Sequence, residues 1–209
     1  MHYWLFQNFI RITGFIPYLI LTWPIIRYED KKIQGKLIKG KAIIVSNHTS
    51  VYDYGFWLFT LPFRTLRCVM ADILRHKNAI LTLFLYMNGG IFVSRTVQDL
   101  AFIDRSLEIL ARNGVVEIFP ESRLPRETEP KPLEFKPSFV HIALKSGAPV
   151  IPLYTSGGYF KKGRVRAVIG KPIDVAALYD NSKTRKENVL DIAEIVRRKV
   201  IDLGRIFEN

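Results

Sequence analysis

Ala42-Ile43-Ile44-Val45-Ser46-Asn47-His48-Thr49-Ser50-Val51-Tyr52-Asp53 opens with a short β-branched run and ends in a polar cluster. Such a run reads as a buried strand, and it delivers Ser46 to Ser50 to the strand's C-terminal end, where α/β folds place their chemistry. Asp53 follows His48 by five positions. On one continuous helix that separation turns two side chains about 140° apart, so the pair meets only if a helix begins after His48. Ser50 is a good N-cap with Asp53 three residues on, which predicts a helix from Val51 through Phe59 and leaves His48 just before it. Taken alone, Ser50 and Asp53 read as a plain capping box beside a loop histidine. The residues further along give the stronger meaning.

With 209 residues the chain has room for one sizeable domain and a small appendage. Lys and Arg number 31 against 19 Asp and Glu, a net charge of +12, which points to an anionic partner: nucleic acid, anionic lipid or a phosphorylated substrate. Fourteen Phe, nine Tyr and three Trp suit a membrane interface as well as a core. The single cysteine, Cys68, forms no internal disulfide and fits a reducing compartment, and no Cys/His grouping has metal-ligand spacing.

Residues 1–28 are mostly apolar or aromatic, interrupted by Gln7, Asn8 and Arg11, then by Pro17 and Pro24. The uninterrupted piece Ile12 to Ile26 is shorter than the roughly 20 residues of a spanning helix. The expectation is two short interfacial helices, with Trp4, Tyr18 and Trp23 as anchors and the cations from Arg27 to Lys41 facing an anionic cytoplasmic leaflet, so that attachment is peripheral or monotopic. Residues 29–209 form the second unit. Its segments alternate: strands at Leu66 to Ala71, Ile91 to Arg95, Val115 to Phe119, Val150 to Tyr154 and Val165 to Ile169, and helices at Asp99 to Arg112, Phe139 to Ser146 and Asn188 to Phe207. Ile80 to Met87 is apolar and ambiguous. In the last helix Ile192, Ile195, Val196, Leu203 and Phe207 are expected inside and Arg197 to Lys199 outside. Leu124 to Pro137, with four prolines among charges, reads as an exposed loop. The fold class is α/β: a mixed, mostly parallel sheet flanked by helices, with a membrane-associated helical segment before it.

Three strand ends carry polar groups that the fold alone does not explain, namely Asn47-His48 with Asp53, Ser94-Arg95, and Glu121 with Arg123. Together they suggest one cleft. A neutral imidazole takes a proton from an alcohol, and a carboxylate on its other nitrogen fixes the tautomer. No Gly-x-Ser-x-Gly elbow is present and Cys68 lies inside a strand, so His48 is expected to activate a hydroxyl of the substrate itself. Arg95 and Arg123 are suited to a phosphate monoester.

These blocks resemble those of the glycerolipid acyltransferases that include 1-acylglycerol-3-phosphate acyltransferase. Asn47 to Asp53 is similar to their N-H-x-x-x-x-D block, Gly90 to Arg95 to the second, Ile118 to Arg123 to the third and Val150 to Leu153 to the fourth, in the family's order over about half the chain. The resemblance implies transfer of a fatty acyl group from an acyl-CoA or acyl carrier protein thioester to lysophosphatidic acid, with no cofactor beyond that co-substrate. It implies His48 as general base and Asp53 as its orienting carboxylate, Arg95 and Arg123 on the acceptor phosphate, Glu121 on its glycerol and Pro152 on the acyl-donor side. Asn47, Ser94, Ser122 and Lys136 belong to the same blocks and are counted with the substrate-binding set. Backbone N–H groups at the start of the Val51 helix are candidate oxyanion donors. Two departures concern acceptor identity. Ser122 stands where the family has glycine, and Arg123 comes one place early, with Arg126 available to share its role.

The alternatives are the same chemistry on another lysophospholipid, or a basic membrane-surface binding protein. A nucleic-acid partner is not expected, because the cations are spread without a recognition helix or stacking motif.

Overall fold

The computed structural model describes residues 2–76, 78–94, 100–161 and 163–208. Seven strands form one sheet in the order β1-β7-β6-β2-β5-β3-β4. They are β1 (Ile25–Tyr28), β2 (Ala42–Ser46), β3 (Leu66–Ala71), β4 (Ile91–Val93), β5 (Val115–Ile118), β6 (Val150–Thr155) and β7 (Arg166–Ile169). Every pairing is parallel except β6 with β7. The five strands from β6 to β4 therefore send their C-terminal ends to one edge, and β7 and β1 run the other way.

β2 is buried at all five positions because both faces of the sheet are covered, which is why it reads as a continuous apolar run. Its side chains alternate between two cores. Ile43 and Val45 pack with Val116, Ile118 and Val150 against α4 (Ala101–Ala111), α5 (Ser138–Ser146) and α6 (Arg185–Arg205). Ala42 and Ile44 face the other way, with Val115, Ile151 and Leu153, against α1 (His2–Thr22) and α2 (Asp53–Thr60). A smaller cluster of Cys68, Met70 and Leu85 joins α3 (Ala79–Met87) to this second face. Gly147 closes α5 in the left-handed conformation expected of a helix stop (φ 60°).

The two short helices expected in residues 1–28 are one helix, α1, which continues through Pro17. It holds because the domain grips both halves. Gln7 bonds the Leu66 and Asn88 carbonyls and the Leu66 N–H, and Arg11 bonds the carbonyls of Leu58, Leu61 and Arg64. Beyond the proline, Tyr18 is buried, stacked on Phe59 and bonded to Thr60, so it anchors inward and not at an interface. After α1 the chain enters the sheet: Ile25 to Tyr28, read as part of the interfacial segment, pairs with Arg166 to Ile169. The polar face of α1 is thus turned to the protein, while Trp4, Phe9, Ile12, Ile16 and Ile20 are exposed. By length and composition α1 is capable of crossing a membrane.

In α6 the inward face is Val189, Ile192, Ala193, Val196, Val200 and Leu203; Ile195, expected inside, is exposed. Arg197, expected outside, turns instead to the Pro132 and Leu133 carbonyls.

Candidate active site

The catalytic-end loop following β2 is fixed before it reaches His48. The Asn47 side chain donates to the Thr155 carbonyl (2.8 Å) and accepts its N–H (2.9 Å), which extends the β2–β6 pairing by one rung. Ser46 Oγ takes the indole N–H of the fully buried Trp57 (3.0 Å), tying the strand end to α2. The helix starts at Asp53, two residues later than expected, and Ser50 is not its N-cap. Its Oγ instead accepts the Tyr52 N–H (3.3 Å), and its carbonyl the Asp53 N–H (3.2 Å).

Asp53 lies at the centre of a donor cage, its side chain fully buried. Oδ2 accepts from the N–H groups of Thr49 (2.6 Å) and Ser50 (2.9 Å) and contacts His48 Nδ1 at 2.8 Å. Oδ1 accepts from Thr49 Oγ1 (2.7 Å) and from the Tyr159 hydroxyl (2.8 Å). Burial, then the Asp53 charge, pushes the Tyr159 phenol well above its ordinary value, so it remains a donor. An oxygen already receiving two N–H groups is an acceptor, which assigns the His48 ring proton to Nδ1. The lone pair is then on Nε2, at the far side of a ring that is 22% exposed. Phe119 stacks on that ring (centroids 4.6 Å, 27°) and limits its rotation.

Thr49, Phe119 and Tyr159 were not among the expected site residues. Gly157, with φ +64° and no room for a Cβ beside Thr49 Oγ1, lets the chain after β6 turn close enough to bring Tyr159 in. The Gly157-Gly158 pair, beginning two residues after the end of β6, was the available signal.

The third strand end sits beneath His48. Glu121, 4% exposed, accepts the His48 N–H on Oε1 (2.6 Å) and the Leu133 N–H on Oε2 (2.7 Å), so its carboxylate braces two loops. Burial raises it above its ordinary value and those two bonds oppose the rise. Arg123 is exposed and forms a bidentate pair with Glu129 (2.6 and 2.7 Å), which also takes the Arg126 N–H. Lys136 is exposed and its N–H reaches the Pro120 carbonyl. Pro152 is buried in mid-strand opposite Val45, its carbonyl accepting from Gly170. Ser94 follows the end of β4, and Arg95 lies outside the described residues.

Ser122 has φ 62°, the left-handed region that glycine enters at no steric cost, which is the physical content of its departure from the family pattern. The Ser122→Gly variant is expected to be as stable as the parent or more stable by up to about 1 kcal/mol, since relief of αL strain outweighs the added chain entropy. Urea denaturation checks this; a loss of stability contradicts it.

The fold and site together define a class: a layered α/β domain that presents a His–Asp pair at the C-terminal edge of its parallel strands. The chain belongs to the Acyltransferase family, whose model matches residues 25–156. It is similar to the 1-acyl-sn-glycerol-3-phosphate acyltransferase of Limnanthes douglasii, 24% identical with 79% of this chain and 66% of the relative covered. It is also similar to that of Cocos nucifera, 21% identical with 80% and 60% covered. The chain thus spans about two thirds of the length of the curated relatives it matches. The crystal structure of the 1-acyl-sn-glycerophosphate (LPA) acyltransferase PlsC from Thermotoga maritima superposes with a TM-score of 0.68 over 95% of this chain and 79% of that one, at 24% identity, and shares the fold.

Proposed function

We propose that the chain transfers a fatty acyl group from a thioester, acyl-CoA or acyl carrier protein, to the free hydroxyl of 1-acylglycerol-3-phosphate, giving phosphatidic acid. The observation that carries this reading is the His48–Asp53 pair, with Nδ1 held by Asp53 and Nε2 left on the opposite side of a partly exposed ring. Nε2 takes the hydroxyl proton as the oxygen attacks the thioester carbon, and Asp53 stabilises the imidazolium. Collapse of the tetrahedral intermediate expels the thiolate, which recovers that proton. No covalent acyl-protein is needed, and Cys68 is buried inside β3 with its thiol pushed well above the usual range by burial.

Arg123 is the acceptor-phosphate ligand in this reading, which requires the phosphate to replace Glu129. The outward apolar face of α1 supports attachment at the cytoplasmic face of a membrane, where lysophosphatidic acid resides, with Trp4 and Trp23 at the interface. The test is thiol release from palmitoyl-CoA and from palmitoyl acyl carrier protein, each with and without lysophosphatidic acid. Release that needs the acceptor is expected with one donor or both. Acceptor-independent release, or none with any of a panel of lysophospholipids, overturns the reading.

A further inference from the structure

A cavity of about 450 Å³ lies at the other end of the sheet from His48, where β3 and β5 begin beside Thr65 and Gly114. His48 follows the opposite end of β2, roughly 20 Å away at about 3.3 Å per strand residue. The lining contains Arg67, Arg105 and Arg112 with one carboxylate, Glu108. Among the described residues none of these three guanidinium groups is ion-paired; the ion pairs of the arginines lie elsewhere. Arg67 is half-buried, oriented by a bond from Nε to the Gly89 carbonyl and by the Tyr3 ring 4.3 Å beneath it. Its two terminal nitrogens have no bonded partner among the described residues. A cavity with three convergent, permanently charged forks and one opposing carboxylate has the donor set for a tetrahedral oxyanion.

We propose that this cavity binds a phosphate group, carried by an anionic phospholipid headgroup. Its rim is Tyr3 and Trp4, in the first turn of a helix whose outward face is apolar. Aromatic rings of that kind settle at headgroup depth, so the cavity opens where lipid phosphates lie. The phosphate chemistry follows from the cavity itself; the lipid source rests on the membrane-facing role of α1.

The test compares the full chain with Arg105→Gln/Arg112→Gln and with an equal loss of charge outside the cavity lining, at the start of α6, Arg185→Gln/Lys186→Gln. Both pairs are exposed and, among the described residues, free of ion pairs, so folding is preserved and is checked by thermal unfolding. Binding is read on phosphatidylcholine vesicles with and without phosphatidylglycerol, a phosphodiester that is not the proposed product. The cavity variant is expected to lose roughly 10- to 30-fold of the phosphatidylglycerol-dependent affinity, at about fivefold per cation, and the control pair far less. A second arm follows the melting temperature in inorganic phosphate without vesicles. A rise in the parent and in the control but not in the cavity variant makes free phosphate the ligand. No rise, with the vesicle difference intact, assigns the phosphate to the lipid. Equal behaviour of cavity and control variants in both arms overturns the site. Neither arm uses acyl transfer, so the outcome is independent of the proposed activity.

Discussion

His48→Ala is expected to lower acyl transfer by about 10² to 10⁴-fold while leaving the melting temperature near that of the parent. The two halves of that statement have separate causes. In the proposed mechanism the His48 ring contributes Nε2 to the reaction, but to the fold it gives one bond to Asp53 and one ring contact, with Phe119. The Asp53 cage retains its four other donors when the ring is removed: the N–H groups of Thr49 and Ser50, Thr49 Oγ1 and Tyr159. Asp53→Asn behaves differently. With its oxygen kept on the Thr49 and Ser50 N–H groups, the amide nitrogen faces the Thr49 and Tyr159 hydroxyls, which must give up their bonds as donors, and the imidazolium loses its counter-charge, so rate and stability fall together. Acceptor-dependent thiol release, measured on both variants beside their melting curves, separates the roles. Parent-like acylation by folded His48→Ala removes His48 from the chemistry.

The elements that were legible are those with a single dominant signal. Ala42 to Val45, Leu66 to Ala71 and Val115 to Ile118 are apolar on consecutive or alternating positions because the sheet is covered on both faces, and their ends fall within a residue of expectation. The His48–Asp53 contact was legible because the break in regular structure between them is written in Ser50. The point where α2 begins was not: Asp53 uses its carboxylate to hold the preceding loop, and Ser50 bends the chain for one more turn before the helix starts. Residues 1–28 resist a reading by hydropathy for a related reason. Gln7, Arg11, Tyr18 and Thr22 look like interruptions of an apolar segment, yet they are the side of α1 that meets the protein. Hydropathy gives the membrane-like composition and says nothing about which face is inside. Tyr159 and Leu133 reach the site through loops, 106 residues from Asp53 in one case and 12 from Glu121 in the other, and neither spacing has a local signature.

Glu117→Met is expected to stabilise the protein by about 2 kcal/mol or more near pH 8, and by less near pH 5. Glu117 sits in the centre of β5, between Ile44 and Cys68, and is fully buried with no hydrogen-bond partner for either carboxyl oxygen among the described residues. Burial first, and the Asp53 charge second, push its carboxyl well above the ordinary range. The neighbouring titratable groups offer no counter-charge: Cys68 and Tyr54 are themselves pushed up by burial and stay neutral. The sign follows from linkage. Between the unfolded value near 4.5 and the raised folded value, the unfolded chain releases the proton while the folded chain keeps it, so stability falls as pH rises, by about 1.4 kcal/mol per unit. Glu121 contributes in the same direction and more weakly, because the His48 and Leu133 N–H groups support its charged form. The lowered carboxyls, Glu29, Glu129, Asp180 and Glu187, act in the acid range, where their stabilisation is lost as pH falls. Methionine is unbranched like glutamate, flexible enough to fit its place and needs no partner, so the variant removes the main source of the slope above pH 5. Urea denaturation of both proteins across that range measures it directly. Parallel pH profiles for parent and variant show that Glu117 has found a proton-independent partner, and the expectation then fails.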